Sequence, residues 1–268
     1  MTGALKYEWV RIRTIASSYW LSGMAVVLSM AVAVLIALFS SAGDVEELNI
    51  VQFTSWVITA GASFFGIPVL AAPFFATMGA MAMGHEYRYG TNKATLTALP
   101  DRLAVFAAKV ILLVGWVTAA VVAILLLNVA VAWLFMSDPQ FSSDAIRPVV
   151  NSWGYCLGFA LAGLSLSAIF RNQTGAIVAV LVWPYVIEPI AYGVLGGIGA
   201  AKHPQVGRLT NLLPTSAGRR SMYDPYDALA GFNGAIDTWG VGVSTLVFWI
   251  GVLIVVGGGL ASFMRRDA

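Results

Sequence analysis

The feature that most constrains this chain is a succession of long apolar runs separated by short charged intervals. Two such runs, at about residues 53–83 and 110–136, flank a polar stretch from His85 to Lys109. Each is longer than the roughly 20 apolar residues that a helix needs to cross a bilayer. Only 10% of the 268 residues are charged and 59% are hydrophobic, whereas soluble domains carry roughly 25% charged residues. The sequence therefore predicts an all-α membrane protein.

The apolar runs predict six transmembrane helices in a single domain, residues 1–268. The second run is too long for one straight helix, and Gly61, Gly66, Pro68 and Pro73 within it predict kinks or a break. The predicted spans are about 20–39, 54–83, 104–136, 149–170, 174–198 and 239–264. The remaining parts are an interfacial helix within 1–19, a cytoplasmic segment at 84–109 and an outer segment at 199–238.

The N-terminal residues predict an amphipathic helix at the lipid surface. Leu5, Trp9, Ile12 and Ala16 recur at helical spacing and fall on one face. Such a helix lies in the membrane interface, with Trp9 at the depth of the headgroups. The alternative is a flank that only starts the first span.

The distribution of charge predicts that both termini are cytoplasmic. The six spans place ten Lys and Arg residues on the inside and five on the outside, in agreement with the positive-inside rule. Arg219 and Arg220 fall in the outer segment, against that rule, so a partial re-entry of this segment into the membrane stays open.

Several kinds of chemistry have no support in the sequence. No GxxxxGK[ST] loop occurs, so we do not expect this chain to bind nucleotide phosphates or to be an enzyme by itself. The single cysteine, Cys156, excludes an intrachain disulfide. His85 and His203 lie far apart and in loops, so no catalytic pair and no metal site is expected. Nothing predicts a nucleic-acid partner.

Two polar residues within the spans are candidates for a translocation path. Glu188 lies roughly 20 Å into the fifth span, and an acid at that depth is a functional candidate by default. The alternative is that Glu188 ends the helix with Pro189 and reaches water on the outer side. Asn128 is a weaker candidate, because buried asparagines in spans more often join helices by hydrogen bonds.

The cytoplasmic stretch contains a recognisable pattern. Glu86-Tyr87-Arg88-Tyr89-Gly90-Thr91 fits E-x-x-x-G-T, and Pro100, Arg102 and Lys109 follow at the start of the third span. This combination resembles the signature region of the type-2 ABC (ATP-binding cassette) exporter permeases. The resemblance covers essentially the whole chain, including the interfacial helix, the six spans and the longer outer segment between the fifth and the sixth.

The resemblance implies a multi-pass permease subunit of the cell membrane, expected to be the bacterial plasma membrane. It would pair with a second copy or a paralogue and bind two separate ATPase subunits, which would hold ATP and magnesium. No cofactor is expected in this chain. The residues from Glu86 to Thr91 would form the coupling helix, and the nearly uncharged spans favour a drug, peptide or lipid-like cargo.

Physical reasons support a coupling role for these residues. Glu86 and Arg88 would present opposite charges on a short exposed helix, and Tyr87 and Tyr89 are aromatic anchors of the kind found at binding hot spots. Gly90 can take the left-handed conformation that ends a helix, and Asp101 is a suitable N-cap for the third span.

Two alternatives from other functional classes stay open. One is a membrane protein without transport activity, such as an immunity or assembly factor. The other is a membrane-embedded enzyme that acts on lipids.

Overall fold

The computed structural model describes residues 1–42, 50–63, 69–201, 203–223 and 239–266, and these residues form helices joined by turns and short connections, with no strand among them. The helices are α1 (Thr2–Thr14), α2 (Ala16–Ala42), α3 (Ile50–Ile58), α4 (Ala72–Arg88), α5 (Asn92–Ala98), α6 (Arg102–Phe135), α7 (Ile146–Phe170), α8 (Gln173–Val182), α9 (Glu188–Ala201), α10 (Pro204–Gly207), α11 (Pro214–Arg220) and α12 (Val241–Arg266).

Five helices of the described chain are long and apolar enough to cross a membrane. They are α2, α6, α7, the combined helix α8–α9 and α12. Four of them expose most of their apolar surface, whereas α7 buries about two-thirds of its most apolar stretch and is the centre of the bundle. An apolar exterior of this kind is suited to lipid, so the prediction of a multi-pass α-helical membrane protein is confirmed.

The predicted second span, 54–83, is a broken helix, as its glycines and prolines suggested. α3 ends at Ile58, and α4 begins at Ala72 with Pro73 in its first turn. Ala60 and Gly61 both have a positive φ, and the N–H of Gly61 bonds to the carbonyl of Trp56 across the end of α3. This is the hydrogen bond of a Schellman cap, which stops a helix. Gly66 and Pro68 lie outside the described residues.

The N-terminal helix differs in two ways from the prediction. It ends at Thr14, and an extended Ile15 separates it from α2. The row that packs against the bundle is Ala4, Glu8 and Ile12, while Trp9 is exposed. The apolar pattern missed this face because its central residue is an acid.

α4 and α7 are in very close contact because glycines lie at their crossing. A Cβ added to Gly79 would lie 1.9 Å from the carbonyl oxygen of Ala160, and one added to Gly163 would lie 2.1 Å from that of Ala76. Ser167 donates a hydrogen bond to the carbonyl of Ala80 (2.7 Å) at the same crossing. Small residues allow such close packing of helices in membranes.

The described part of the predicted outer segment folds back alongside the long helices, and its re-entry into the membrane stays a prediction. Pro214, at the start of α11, contacts Gly251 of α12. Gly218 of α11 packs on Phe248 of α12 and Tyr155 of α7. Gly251 is roughly 15 Å along α12 from its start, so α11 lies beside the middle of that helix. Asn151 of α7 holds the end of α11 through the carbonyl of Ser221 (2.6 Å). Residues 224–238 of the segment lie outside the described part.

We expect Gly79→Ala to destabilise the protein, because the new methyl group would collide with the backbone of α7. Overpacking of this kind typically costs about 1–3 kcal/mol. Gly115→Ala in α6 is the matched control, since nothing lies within 4 Å of its added Cβ and alanine favours a helix. Thermal unfolding in detergent measures both. Equal midpoints for the two variants would contradict the packing described for α4 and α7.

Candidate functional site

A fully buried lysine connects three helices at one end of the bundle. The Nζ atom of Lys109 donates hydrogen bonds to the carboxylates of Glu86 and Glu8, the latter at 2.6 Å. The second carboxylate oxygen of Glu8 accepts from Arg11, with its Nη2 at 2.6 Å. Two acids thus face two bases, and the cluster is neutral as a whole. We call these four residues the ion cluster.

The four members of the ion cluster come from three helices, with Glu8 and Arg11 both on α1. Glu8 is on the buried row of α1, Glu86 is in the last turn of α4, and Lys109 is in the second turn of α6. A buried ion pair adds little net stability when it forms, but losing one partner typically costs about 3–5 kcal/mol because the other charge stays buried. The cluster therefore fixes where α1 lies against α4 and α6.

The prediction that Glu86 lies on a short exposed helix is wrong. Glu86 belongs to the long helix α4, and only 3% of it is exposed. Tyr87 is partly buried and packs against the core. Glu86 can be buried because the ammonium group of Lys109 compensates the charge of its carboxylate. Of the six residues predicted to form the coupling helix, Arg88, Tyr89, Gly90 and Thr91 are exposed.

The turn after α4 has the conformation that the sequence predicted. Gly90 has a φ of 66°, and the N–H of Thr91 bonds to the carbonyl of Glu86 (3.0 Å). These are features of the cap that ends a helix with a left-handed glycine. Asp101 caps α6 as predicted, because its carboxylate accepts the N–H of Ala104 (3.0 Å). The segment between α4 and α6 is thus fixed at both ends.

The residues beyond this cap form a projecting surface, which we call the tip: Arg88, Tyr89, Gly90, Thr91 and Lys93. Tyr89 is 66% exposed, and the guanidinium group of Arg88 lies 5.5 Å from the centre of its ring. Both charges named in the tip are positive. An exposed aromatic ring between two cations is suited to a partner surface with an apolar pocket and acidic groups.

His85 lies between the tip and the ion cluster. Burial lowers its pKa below the ordinary value of 6.5, and the charges of Arg11 and Arg88 lower it further. The imidazole is therefore neutral near pH 7, and protonating it would add a cation beside two others.

The structure excludes one of the two interpretations of Glu188, and the other, a role in a translocation path, stays a prediction. The helix does not end at Glu188, since a π-helical turn at Trp183–Ile187 leads into α9, which continues to Ala201. The prediction that the carboxylate reaches outer water is wrong, because Glu188 is only 1% exposed. Its oxygens accept from the hydroxyl of Thr215 and from the N–H of Ser216 (2.7 Å). Glu188 thus supplies the N-terminal cap that α11 itself lacks.

Asn128 stabilises the break in the second span. Its Nδ2 atom donates to the carbonyl of Ile58 (2.9 Å), which the end of α3 leaves without a helical partner. Asn128 is fully buried, and its Oδ1 atom has no partner among the described residues. The side chain joins two elements, as buried asparagines in spans often do. A role in translocation stays a prediction.

Sequence reasoning missed the roles of Glu8, Thr215 and Ser216. One signal could have identified Glu8. It lies at helical spacing between Ala4 and Ile12, so it shares a face of α1 with two apolar residues that a helix would bury. The role of Thr215 and Ser216 depends on a contact between segments 27 and 28 residues apart, and helical periodicity contains no information on such contacts.

No family model matches this sequence, and no curated protein matches it. The function must therefore be argued from the residues and their geometry.

We expect Lys109→Met to lower the free energy of unfolding by about 3–5 kcal/mol, because Glu86 and Glu8 lose their shared cation. Adding Glu86→Gln should recover part of the loss, since it removes the carboxylate that is left without a cation, whereas Glu8 still has Arg11. The measurement is thermal unfolding in detergent, monitored by the reaction of a thiol dye with Cys156, which is buried in the folded chain. Lys93→Met at the exposed tip is the control and should change little. A double variant less stable than Lys109→Met would contradict the cluster.

We expect stability to fall as the pH drops below about 6.5, in part because of His85. Its pKa is lowered in the folded chain, so the unfolded chain binds the proton more readily and gains stability as the pH falls. Unfolding midpoints between about pH 7 and 5 should therefore decline less steeply in His85→Gln than in the unsubstituted chain. His203→Gln, at an exposed position, is the comparison. A slope unchanged by His85→Gln would refute this assignment.

Proposed function

We propose that this chain is the transmembrane permease subunit of an ATP-driven type-2 ABC exporter, with the tip as its contact with a separate ATPase subunit. The observation that carries the proposal is the construction of the segment from α4 to α6. Its two ends are capped, and its exposed residues Arg88, Tyr89, Gly90 and Thr91 belong to the E-x-x-x-G-T pattern.

The ion cluster supports the proposal because a coupling element must be rigid. Movement of an ATPase reaches the spans only if the contact residues do not bend away from them. Lys109 joins the last turn of α4 to the start of α6 and to α1. A force on the tip would thus be applied to three helices together. Glu86 acts in this proposal by positioning the tip, while Tyr89 makes the contact with the ATPase.

The proposed class, a type-2 ABC exporter permease, implies the remaining parts of the proposal. The tip end of the bundle is cytoplasmic, as are both termini, and the broken second span completes six crossings of the bacterial plasma membrane. A second copy or a paralogue completes the translocation path. ATP and magnesium bind to the ATPase and not to this chain. The exposed apolar side chains of α2, α6 and α12 are consistent with an amphiphilic cargo that enters from lipid, whether drug, peptide or lipid.

The other two functional classes make different demands. An immunity or assembly factor needs no ATPase, and a lipid-acting enzyme needs a reactive group near the membrane surface. In the described part of the chain no three His, Cys, Asp or Glu residues lie close enough to hold a metal ion. Incubating the purified chain with labelled lipids tests for a catalytic group of another kind. We expect no product to be released.

A photo-crosslinking amino acid at position 89 tests the proposal directly. In native membranes we expect the photo-crosslinking residue that replaces Tyr89 to form a crosslink to a protein that has ATPase motifs and no membrane spans. The same replacement of Trp133, a 65% exposed aromatic residue at the other end of α6, should not capture that protein. Capture of the same partner from both positions, or of no ATPase from position 89, would sink the proposal.

Tyr89→Ala and Glu86→Ala should separate contact from positioning once the ATPase is bound. Because hot-spot aromatic residues typically contribute 2 kcal/mol or more, we expect Tyr89→Ala to weaken ATPase binding about 30-fold or more while the isolated chain unfolds as before. Glu86→Ala should abolish transport and also lower the unfolding midpoint, and Glu86→Gln should be milder. Arg265→Ala is the control. Normal binding and transport by Tyr89→Ala would remove the tip from the coupling role.

A further inference from the structure

Two arginines at the end of α11, of which Arg220 is buried and Arg219 partly buried, form no salt bridge within the described part of the chain. Arg220 is only 3% exposed, and its Nη2 atom donates to the carbonyl of Thr210 (3.2 Å). Its Nε and Nη1 atoms are buried without a hydrogen-bond partner, and so is the Nε atom of Arg219. The hydroxyl of Tyr192 also reaches Arg220. Neutral acceptors such as these do not compensate a whole charge.

The nearest described carboxylate is already in use. Glu188 is close enough to Arg220 to act on it electrostatically, but its oxygens accept from Thr215 and Ser216. No salt bridge within the described ranges joins Glu188 to either arginine. Two guanidinium groups thus face one occupied carboxylate, and burial lowers the pKa of Arg220. Burying an uncompensated cation costs several kcal/mol, and no second carboxylate among the described residues forms a salt bridge with either arginine.

Four tyrosines lie within electrostatic range of one or both arginines: Tyr155, Tyr185, Tyr192 and Tyr223. Tyr223 is influenced by both guanidinium groups, and Tyr155 and Tyr185 lie within electrostatic range of Arg219. Their hydroxyl groups are hydrogen-bond donors that an oxyanion can accept. Tyr185 is 37% exposed on the apolar surface of the fifth span, beside the exposed Val186. Tyr185, which is within electrostatic range of Arg219, is therefore the member of this group that reaches the exposed apolar surface.

We propose that Arg219 and Arg220, with the nearby tyrosine hydroxyls, bind a phosphate or carboxylate group carried by an amphiphile. The guanidinium groups supply the charge and paired N–H donors that such oxyanions prefer, and the apolar surface beside Tyr185 holds the hydrocarbon tail. The proposal goes beyond the exporter function and does not depend on it, since this site requires no ATPase.

Thermal unfolding of the purified chain in a neutral maltoside detergent, followed by intrinsic tryptophan fluorescence, tests the site. Dodecyl phosphate at about ten times its Kd should raise the midpoint by about 3–5 °C. Inorganic phosphate is the second arm. A rise with dodecyl phosphate alone assigns the site to an amphiphile, and an equal rise with inorganic phosphate assigns it to a free anion. No rise with either probe overturns the proposal.

Arg220→Gln distinguishes a ligand site from a structural arginine. Because it removes an uncompensated charge, the ligand-free variant should be at least as stable as the unsubstituted chain, while the rise with dodecyl phosphate should be lost. Arg219→Gln should reduce the rise. Arg147→Gln, at an exposed position at the same end of the bundle, should leave it unchanged. A ligand-free Arg220→Gln chain that unfolds well below the unsubstituted chain shows a structural role and overturns the proposal.

A counter-charge from within the chain is tested separately. Asp224 and Asp227 are the acids that follow the arginines most closely in the sequence. Replacing both by asparagine should leave the ligand-free midpoint and the rise with dodecyl phosphate unchanged. If the double variant is destabilised and the rise disappears, an internal carboxylate supplies the missing charge and the proposed site is wrong. None of these arms contains an ATPase, so their failure leaves the proposed exporter function untouched.

Discussion

The structure depends first on the burial of the ammonium group of Lys109. A lysine in the second turn of an apolar helix is acceptable only if carboxylates reach it, and Glu8 and Glu86 do so from two other helices. Because the penalty for a missing partner is large, this one interaction fixes both the position of the N-terminal helix and the direction in which α4 leaves the bundle. The exposed tip is a consequence of that constraint.

A similar exchange between distant segments organises the other end of the bundle. α11 begins without a cap from its own sequence, and Glu188 supplies one from the fifth span. This places a carboxylate at the positive end of a short helix, where it is favourable. Among the described residues, the same contact leaves Arg219 and Arg220 without a salt bridge to an acid. One carboxylate cannot compensate the helix end and two guanidinium groups, which is the physical basis of the proposed anion site.

The two ends are connected by closely packed helices. α4 leads from the break after α3 to the tip, and glycines let its backbone contact that of α7. α7 in turn packs on α12 and, through Tyr155, on Gly218 of α11. Packing without space for rearrangement transmits displacement as rigid-body movement. In the proposed exporter this arrangement would allow movement at the tip to change the surroundings of the anion site.

The sequence by itself determined the membrane class, the approximate bounds of the five long apolar helices and the caps at Gly90 and Asp101, because these follow from local rules of hydrophobicity and backbone conformation. It also indicated the break in the second span. Only the tertiary structure decided that Glu86 is buried and that Glu188 caps another helix. Their partners, Lys109 and Ser216, are 23 and 28 residues away. Helical periodicity shows which residues share a face but not what that face contacts, so charges that look exposed in the sequence can be paired inside the fold.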